Sequence, residues 1–145
     1  KCAEVGINGL IIPDLPLFVY ETEYKAIFEK YNLKNIFLIS PQTSIERIQQ
    51  IDAISDSFIY MVSSAAVTGS QSGFGSEQMN YFKRISDLKL KNPQIVGFGI
   101  KDDETFQQAS KHQKGAIIGS AFIQFLKENP ISKISYFINS LAIKC

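Results

Sequence analysis

Apolar runs alternate along this chain with stretches whose apolar residues repeat at helical spacing. The first run, Gly6-Ile7-Asn8-Gly9-Leu10-Ile11-Ile12, shows no polar alternation, as expected of a strand buried on both faces. It stops at Pro13-Asp14-Leu15-Pro16, because two prolines cannot continue a central strand. Phe18, Tyr20, Tyr24, Ile27, Phe28 and Tyr31 then fall close to one helical stripe. A second run, Ile36-Phe37-Leu38-Ile39, ends at Ser40-Pro41, and Thr43 or Ser44 caps a helix marked by Ile45, Ile48, Ile51 and Ile54. Phe58-Ile59-Tyr60-Met61-Val62 is the third strand. A helix from about Glu77 to Lys89 turns Met79, Phe82, Ile85 and Leu88 inward. Gln94-Ile95-Val96-Gly97-Phe98 is the fourth strand, and Asp102 or Asp103 opens a helix that buries Phe106 and Ala109. Gly115 to Ile118 is the fifth, followed by a helix over Ala121 to Lys127. Pro130 starts a last helix with Ile131, Ile134, Phe137, Ile138 and Leu141 on one face.

The order is strand then helix, five times over, with no β-hairpin turn signal, plus a C-terminal helix. That is the pattern of βαβ units around a parallel sheet. Right-handed crossovers bring all the strand C-termini to one end. An open doubly wound sheet and part of an eight-stranded barrel both satisfy this reading.

At 145 residues the chain is one domain, or part of a larger one. It opens Lys1-Cys2-Ala3-Glu4, directly in folded-looking sequence and without a Met, which points to a truncated chain. A net charge of +1 gives no electrostatic reason to expect nucleic acid or an anionic membrane as partner. No apolar run approaches the roughly 20 residues of a membrane span. Cys2 and Cys145 lie at the two ends, with neither metal-ligand spacing nor a disulfide framework, so free thiols in a reducing cytoplasm are expected.

Polar and glycine residues gather just after the strands, where parallel α/β folds bind ligands. Asp14 follows the first strand, Ser40 the second, Ser63 to Ser76 the third, Gly99 the fourth and Gly119-Ser120 the fifth. A strand that ends in Gly-Ser at the mouth of a helix presents unpaired N–H groups at the positive end of the helix dipole. A phosphate suits such a place. An ordinary strand-to-helix turn with a serine cap has the same sequence. Loops after the last two strands share a phosphate in many barrels, and Phe98-Gly99 and Gly119-Ser120 hold those positions. The charge-free stretch from Ser63 to Ser76 is long for a βα connection and reads as a lid, with Val67-Thr68-Gly69 over a bound ligand. His112 sits among Ser110-Lys111-Gln113-Lys114 at a solvated helix end. Asp14, between prolines, fits a turn better than a general base. Tyr60 faces a ligand or packs. Asp102 and Asp103 read as helix N-terminal charges. No Ser-His-Asp or Cys-His arrangement can be assembled around the single histidine.

These segments together resemble the tryptophan synthase alpha chain family. Gly6 to Pro16 is similar to its Gly-x-Asp-Gly-(apolar)-Asp-(apolar)-Pro segment. Ile36 to Pro41 is similar to its fifth strand, and Phe58 to Ser63 with Val67-Thr68-Gly69 to its sixth strand and mobile loop. Val96 to Ile100 and Gly115 to Ala121 are similar to strands seven and eight. The likeness runs in order from about Cys2 to Lys127. It implies that residues 1–145 are a single partial domain, the later part of a (β/α)8 barrel, with the N-terminal strands missing. The resemblance implies cleavage of indole-3-glycerol phosphate to indole and glyceraldehyde 3-phosphate, a carbon–carbon lyase step in tryptophan biosynthesis. Indole would pass to a beta chain partner in an α2β2 complex, and pyridoxal phosphate is expected only in that partner, with no cofactor or metal in this chain. Gly69, Gly99, Gly119 and Ser120 would surround the substrate phosphate, and Leu38, Tyr60, Thr68, Phe98 and Ile117 would line the indole side. The family's two catalytic carboxylates come from segments that precede Lys1, so no catalytic residue is carried over, and the chain alone is expected to be inactive.

The family often has Ser-Arg-x-Gly where this chain reads Ser63-Ser64-Ala65-Ala66, Asp in place of Asn8, and a small residue in place of Pro13. Two other readings stand beside it. One is another phosphate-binding barrel, an indole-glycerol-phosphate synthase or sugar-phosphate epimerase, whose metal ligands or lysine are not found at the strand ends. The other is a non-catalytic open α/β binding module, which would want an acidic cluster around Asp14.

Overall fold

The computed structural model describes residues 1–63 and 73–141. Six strand segments appear in chain order: β1 (Gly9–Ile11), β2 (Lys34–Ile36), β3 (Leu38–Ile39), β4 (Ile59–Val62), β5 (Gln94–Gly97) and β6 (Gly115–Ile117). All pairings are parallel: β1 with β2, then β3, β4, β5 and β6 in that order. The helices are α1 (Leu17–Val19), α2 (Lys25–Lys30), α3 (Ile45–Ile54), α4 (Ser76–Asp87), α5 (Asp103–Ser110), α6 (Ser120–Glu128) and α7 (Ile134–Ser140). No helix among the described residues is long and apolar enough to cross a membrane.

The expected run Ile36–Ile39 is one strand that changes partner midway. Lys34–Ile36 pairs with β1 on one edge, and Leu38–Ile39 pairs with β4 on the other. Phe37 stays in the ladder, because its carbonyl accepts from the Tyr60 N–H at 2.9 Å. Strands staggered along their neighbours in this way are what barrel curvature requires. Among the described residues, β1 and β6 each keep one unpaired edge.

The helical stripe after β1 also departs from regular spacing. A π-helical turn, Tyr20–Tyr24, joins α1 to α2. Its wider turn shifts the buried face. Leu17, Tyr20 and Phe28 are buried, while Phe18, Tyr24, Ile27 and Tyr31 face solvent. Tyr20 meets Phe28 and Phe37 edge to face, with ring centroids 5.5 and 5.1 Å apart.

Register separates two faces. Ile39, Met61 and Val96 lie in one row and are buried with Ile48 and Ile51 of α3 and Phe82 and Ile85 of α4. This is the helix-covered side, where most of the core sits. Leu38, Tyr60, Ile95 and Gly115 form a row on the opposite face, and Val62, Gly97 and Ile117 the next row toward the strand C-termini. That second face carries the site.

Asp102, not Asp103, caps α5. Its carboxylate accepts from the Thr105 N–H at 2.9 Å, and the Thr105 hydroxyl accepts in turn from the Asp102 N–H at 3.1 Å. Burial pushes the Asp102 carboxyl up, but the two hydrogen bonds from Thr105 and the nearby Lys101 charge bring it below its ordinary value. Asp102→Ala should therefore lower stability by about 1 kcal/mol at neutral pH. A carboxylate held below its unfolded pKa adds stability above that unfolded value and loses it as pH falls through the folded one. The gap between parent and variant in thermal midpoint should accordingly narrow below about pH 4.

The C-terminal helices are less covered. No residue of α6 is fully buried, and Ile131 and Ile138 of the expected final stripe are exposed. Phe137 packs on Phe122 and Phe125, with ring centroids 5.4 and 5.0 Å away, and Leu141 is buried.

Candidate functional site

Two strand ends meet at the candidate site. Gly97 pairs with Ile117 in parallel register, so Gly99 and Gly119, each two residues further on, leave the sheet at the same end of neighbouring strands. The first arm is bent sharply. Phe98 and Gly99 both take left-handed backbone conformations, with φ of 68° and 76°. For Phe98 that conformation is strained, whereas Gly99 adopts it freely.

Ser63 holds this arm. It follows β4, is buried, and shares its one hydroxyl proton between the carbonyls of Phe98 at 2.6 Å and Gly97 at 2.9 Å. Its N–H also reaches the Gly97 carbonyl at 3.2 Å. Phe74 lies beside it: its ring approaches within 3.1 Å of where a Cβ on Gly99 would stand, and Ser63 Oγ within 3.8 Å. Phe74 is fixed by its own N–H, which donates to Gln108 Oε1 at 2.7 Å, and by edge-to-face packing on Phe82.

The second arm is open. Gly119 precedes α6 with φ of −111°, and among the described residues a Cβ built on it would meet no atom within 4 Å beyond its chain neighbours. Gly119 and Ser120 are exposed, at the start of a nine-residue helix whose first N–H groups have no partner within it.

Tyr60 and Phe98 form the apolar flank. Their rings meet edge to face with centroids 6.1 Å apart, Phe98 being 53% exposed. The Tyr60 ring occupies the space that a Cβ on Gly97 would need, its Oη lying 1.8 Å from that position. Burial pushes the Tyr60 phenol above its ordinary pKa. Leu38, Tyr60 and Ile117 share this face of the sheet, and Phe98 stands at its rim. Thr68 and Gly69 lie outside the described residues, as does most of the expected lid.

The remaining sequence candidates lie apart. Asp14 is an exposed turn residue. His112 stands just before β6, at the opposite end of the sheet from Gly99 and Gly119. Ser44, not Thr43, caps α3 by accepting from the Arg47 N–H at 3.2 Å. Among the described residues no three His, Cys, Asp or Glu side chains come together as a metal site. Cys2 is unpaired, and Cys145 lies outside the described residues. Sequence reasoning took Ser63 to Ser76 as one stretch and singled out neither Ser63 nor Phe74. Both sit in a stretch of small polar residues where nothing but strand register distinguishes Ser63 from Ser64.

Staggered parallel strands, helices on one face, and two glycine arms at the strand C-termini define the later part of a (β/α)8 barrel. Its family is equally specific. The family model for the tryptophan synthase alpha chain matches residues 1–143. The tryptophan synthase alpha chain of Flavobacterium johnsoniae is 68% identical over 141 residues, covering 97% of this chain and 56% of the relative. That of Christiangramia forsetii is 63% identical, covering 97% and 55%. Among solved structures, tryptophan synthase subunit alpha from Campylobacter jejuni aligns with a TM-score of 0.78 at 24% identity, over 97% of this chain and 56% of that one, a likeness of fold. A chain from the tryptophan synthase α2β2 complex of Pyrococcus furiosus aligns with a TM-score of 0.77 at 25% identity, over 97% and 56%. The chain belongs to the tryptophan synthase alpha chain family. It spans about half the length of the curated relatives it matches.

Proposed function

We propose that residues 1–145 supply the substrate-phosphate and indole-facing part of a tryptophan synthase alpha barrel. The barrel acts as a carbon–carbon lyase on indole-3-glycerol phosphate. In that reaction the bond between the indole ring and the glycerol phosphate breaks. The ring carbon gains a proton, the adjacent hydroxyl loses one, and indole and glyceraldehyde 3-phosphate leave. Gly99, Gly119 and Ser120 offer N–H groups to the phosphate, together with Gly69. Leu38, Tyr60, Phe98 and Ile117, with Thr68, flank the indole.

The observation that carries this reading is the pairing of the arms. Neighbouring parallel strands end side by side in two glycines, one left-handed and one open to its surroundings. An anion placed between them would take peptide N–H bonds without displacing a side chain. No residue here is assigned as acid or base, since the resemblance places both carboxylates on earlier strands. A beta chain is the proposed partner and the holder of pyridoxal phosphate, in a cytoplasmic setting.

The test uses a complete alpha chain, made by joining the preceding part of the Flavobacterium johnsoniae relative to residues 1–145. Glycerol 3-phosphate titrated into it should shift the amide signals of Gly99, Gly119 and Ser120, and the chain should release indole from indole-3-glycerol phosphate. Indole release without those shifts would remove the phosphate assignment. Absence of indole release, with beta chain present, would remove the activity. Residues 1–145 alone are expected to release none.

A further inference from the structure

We propose that Ser63 is the positioning residue of the phosphate site, setting anion affinity without touching the anion. This rests on the reading that Gly99 and Gly119 meet the substrate phosphate. The argument begins with the peptide unit. Its atoms are planar and trans, so an N–H points away from the carbonyl that shares its plane. The Phe98 carbonyl and the Gly99 N–H belong to one such unit. Ser63 holds that carbonyl at 2.6 Å, and so fixes the Gly99 N–H to point away from Ser63. The preceding unit, Gly97 carbonyl with Phe98 N–H, is held by the Ser63 N–H at 3.2 Å and takes a share of the hydroxyl proton at 2.9 Å.

The arm needs such a hold. Two successive left-handed residues, one of them phenylalanine, do not persist without contacts that impose them. The Phe74 ring leaves no room for a side chain at Gly99 and offers the arm no hydrogen bond. Ser63 supplies the directional part, from a side chain only 2% exposed. Among the described residues the Gly99 N–H has no acceptor, so it remains available to a ligand. Among the described residues the second arm has no comparable device: Gly119 leads directly into α6. Among the described residues, then, side-chain hydrogen bonds hold the first arm and not the second.

The experiment compares the complete chain with its Ser63→Ala variant, titrating glycerol 3-phosphate and following the Gly99 and Gly119 amides separately. Removing the hydroxyl should raise the dissociation constant about tenfold, the scale of one orienting hydrogen bond to a charged group. The ligand-induced shift at Gly99 should shrink, while that at Gly119 at saturation stays unchanged. A purely structural serine would disturb both arms alike or neither. Unchanged affinity overturns the proposal, and so does an equal loss of both amide shifts. If the parent chain itself fails to bind glycerol 3-phosphate at these amides, the phosphate reading falls first, and the role of Ser63 falls with it.

Discussion

Gly97→Ala should strongly impair the complete chain, and removal of the Tyr60 ring should restore much of what is lost. The added Cβ would stand 1.8 Å from Tyr60 Oη, 2.0 Å from Cζ and 2.4 Å from Cε1. Those separations are far inside van der Waals contact, so the ring must leave its place. It is half-buried on the site face and packed against Phe98. Overpacking of this kind destabilises by about 1–3 kcal/mol. The displaced ring also lies where the indole is proposed to bind, so affinity for indole-3-glycerol phosphate should fall with stability. Tyr60→Ala alone loses some packing. In the double variant Gly97→Ala/Tyr60→Ala the clash is gone, and the combined loss should be smaller than the sum by at least about 1 kcal/mol. Urea unfolding of the four proteins measures this directly. Additive losses would mean that Tyr60 and Gly97 do not share the space described.

That contact was invisible in the sequence, although both residues were named there. The apolar runs were legible because parallel strands covered by helices leave a simple signature. The motif order also pointed to one barrel family. Chain spacing could not tell which glycine served which purpose. Gly97 reads as a plain strand residue beside Gly99, yet it is the more tightly pressed of the two, against the Tyr60 ring of the neighbouring strand. Ser63 was hidden for a related reason. Its partners lie more than thirty residues away at the end of β5 and just past it, and it opens a run of serines and alanines with no internal contrast. The stripe from Phe18 to Tyr31 misled in the other direction. Helical spacing was assumed to be regular, whereas a π-helical turn interrupts it and four of its six apolar residues face solvent. The break at Phe37 follows from strand stagger, a property of barrel closure that no local pattern encodes.

Gly119→Ala should separate ligand binding from folding more cleanly than any other change at the site. Among the described residues an alanine Cβ there meets no atom within 4 Å beyond its chain neighbours, and the backbone, with φ of −111° and ψ of −78°, is right-handed, not left-handed. Stability should therefore stay within about 0.5 kcal/mol of the parent. Affinity for glycerol 3-phosphate should nevertheless fall at least about tenfold, since the methyl group stands where the anion must approach the peptide N–H. Gly99→Ala makes the contrast. That residue has φ of 76° and Phe74 within 3.1 Å of the new Cβ, so both stability and affinity should drop together. Calorimetric titration with glycerol 3-phosphate, paired with thermal unfolding, distinguishes the two variants. If Gly119→Ala binds the phosphate as tightly as the parent, the space beside Gly119 is not occupied by the anion, and the two-armed cradle is wrong. A loss of affinity at unchanged stability has only one physical source, a ligand that needs the volume the glycine leaves empty.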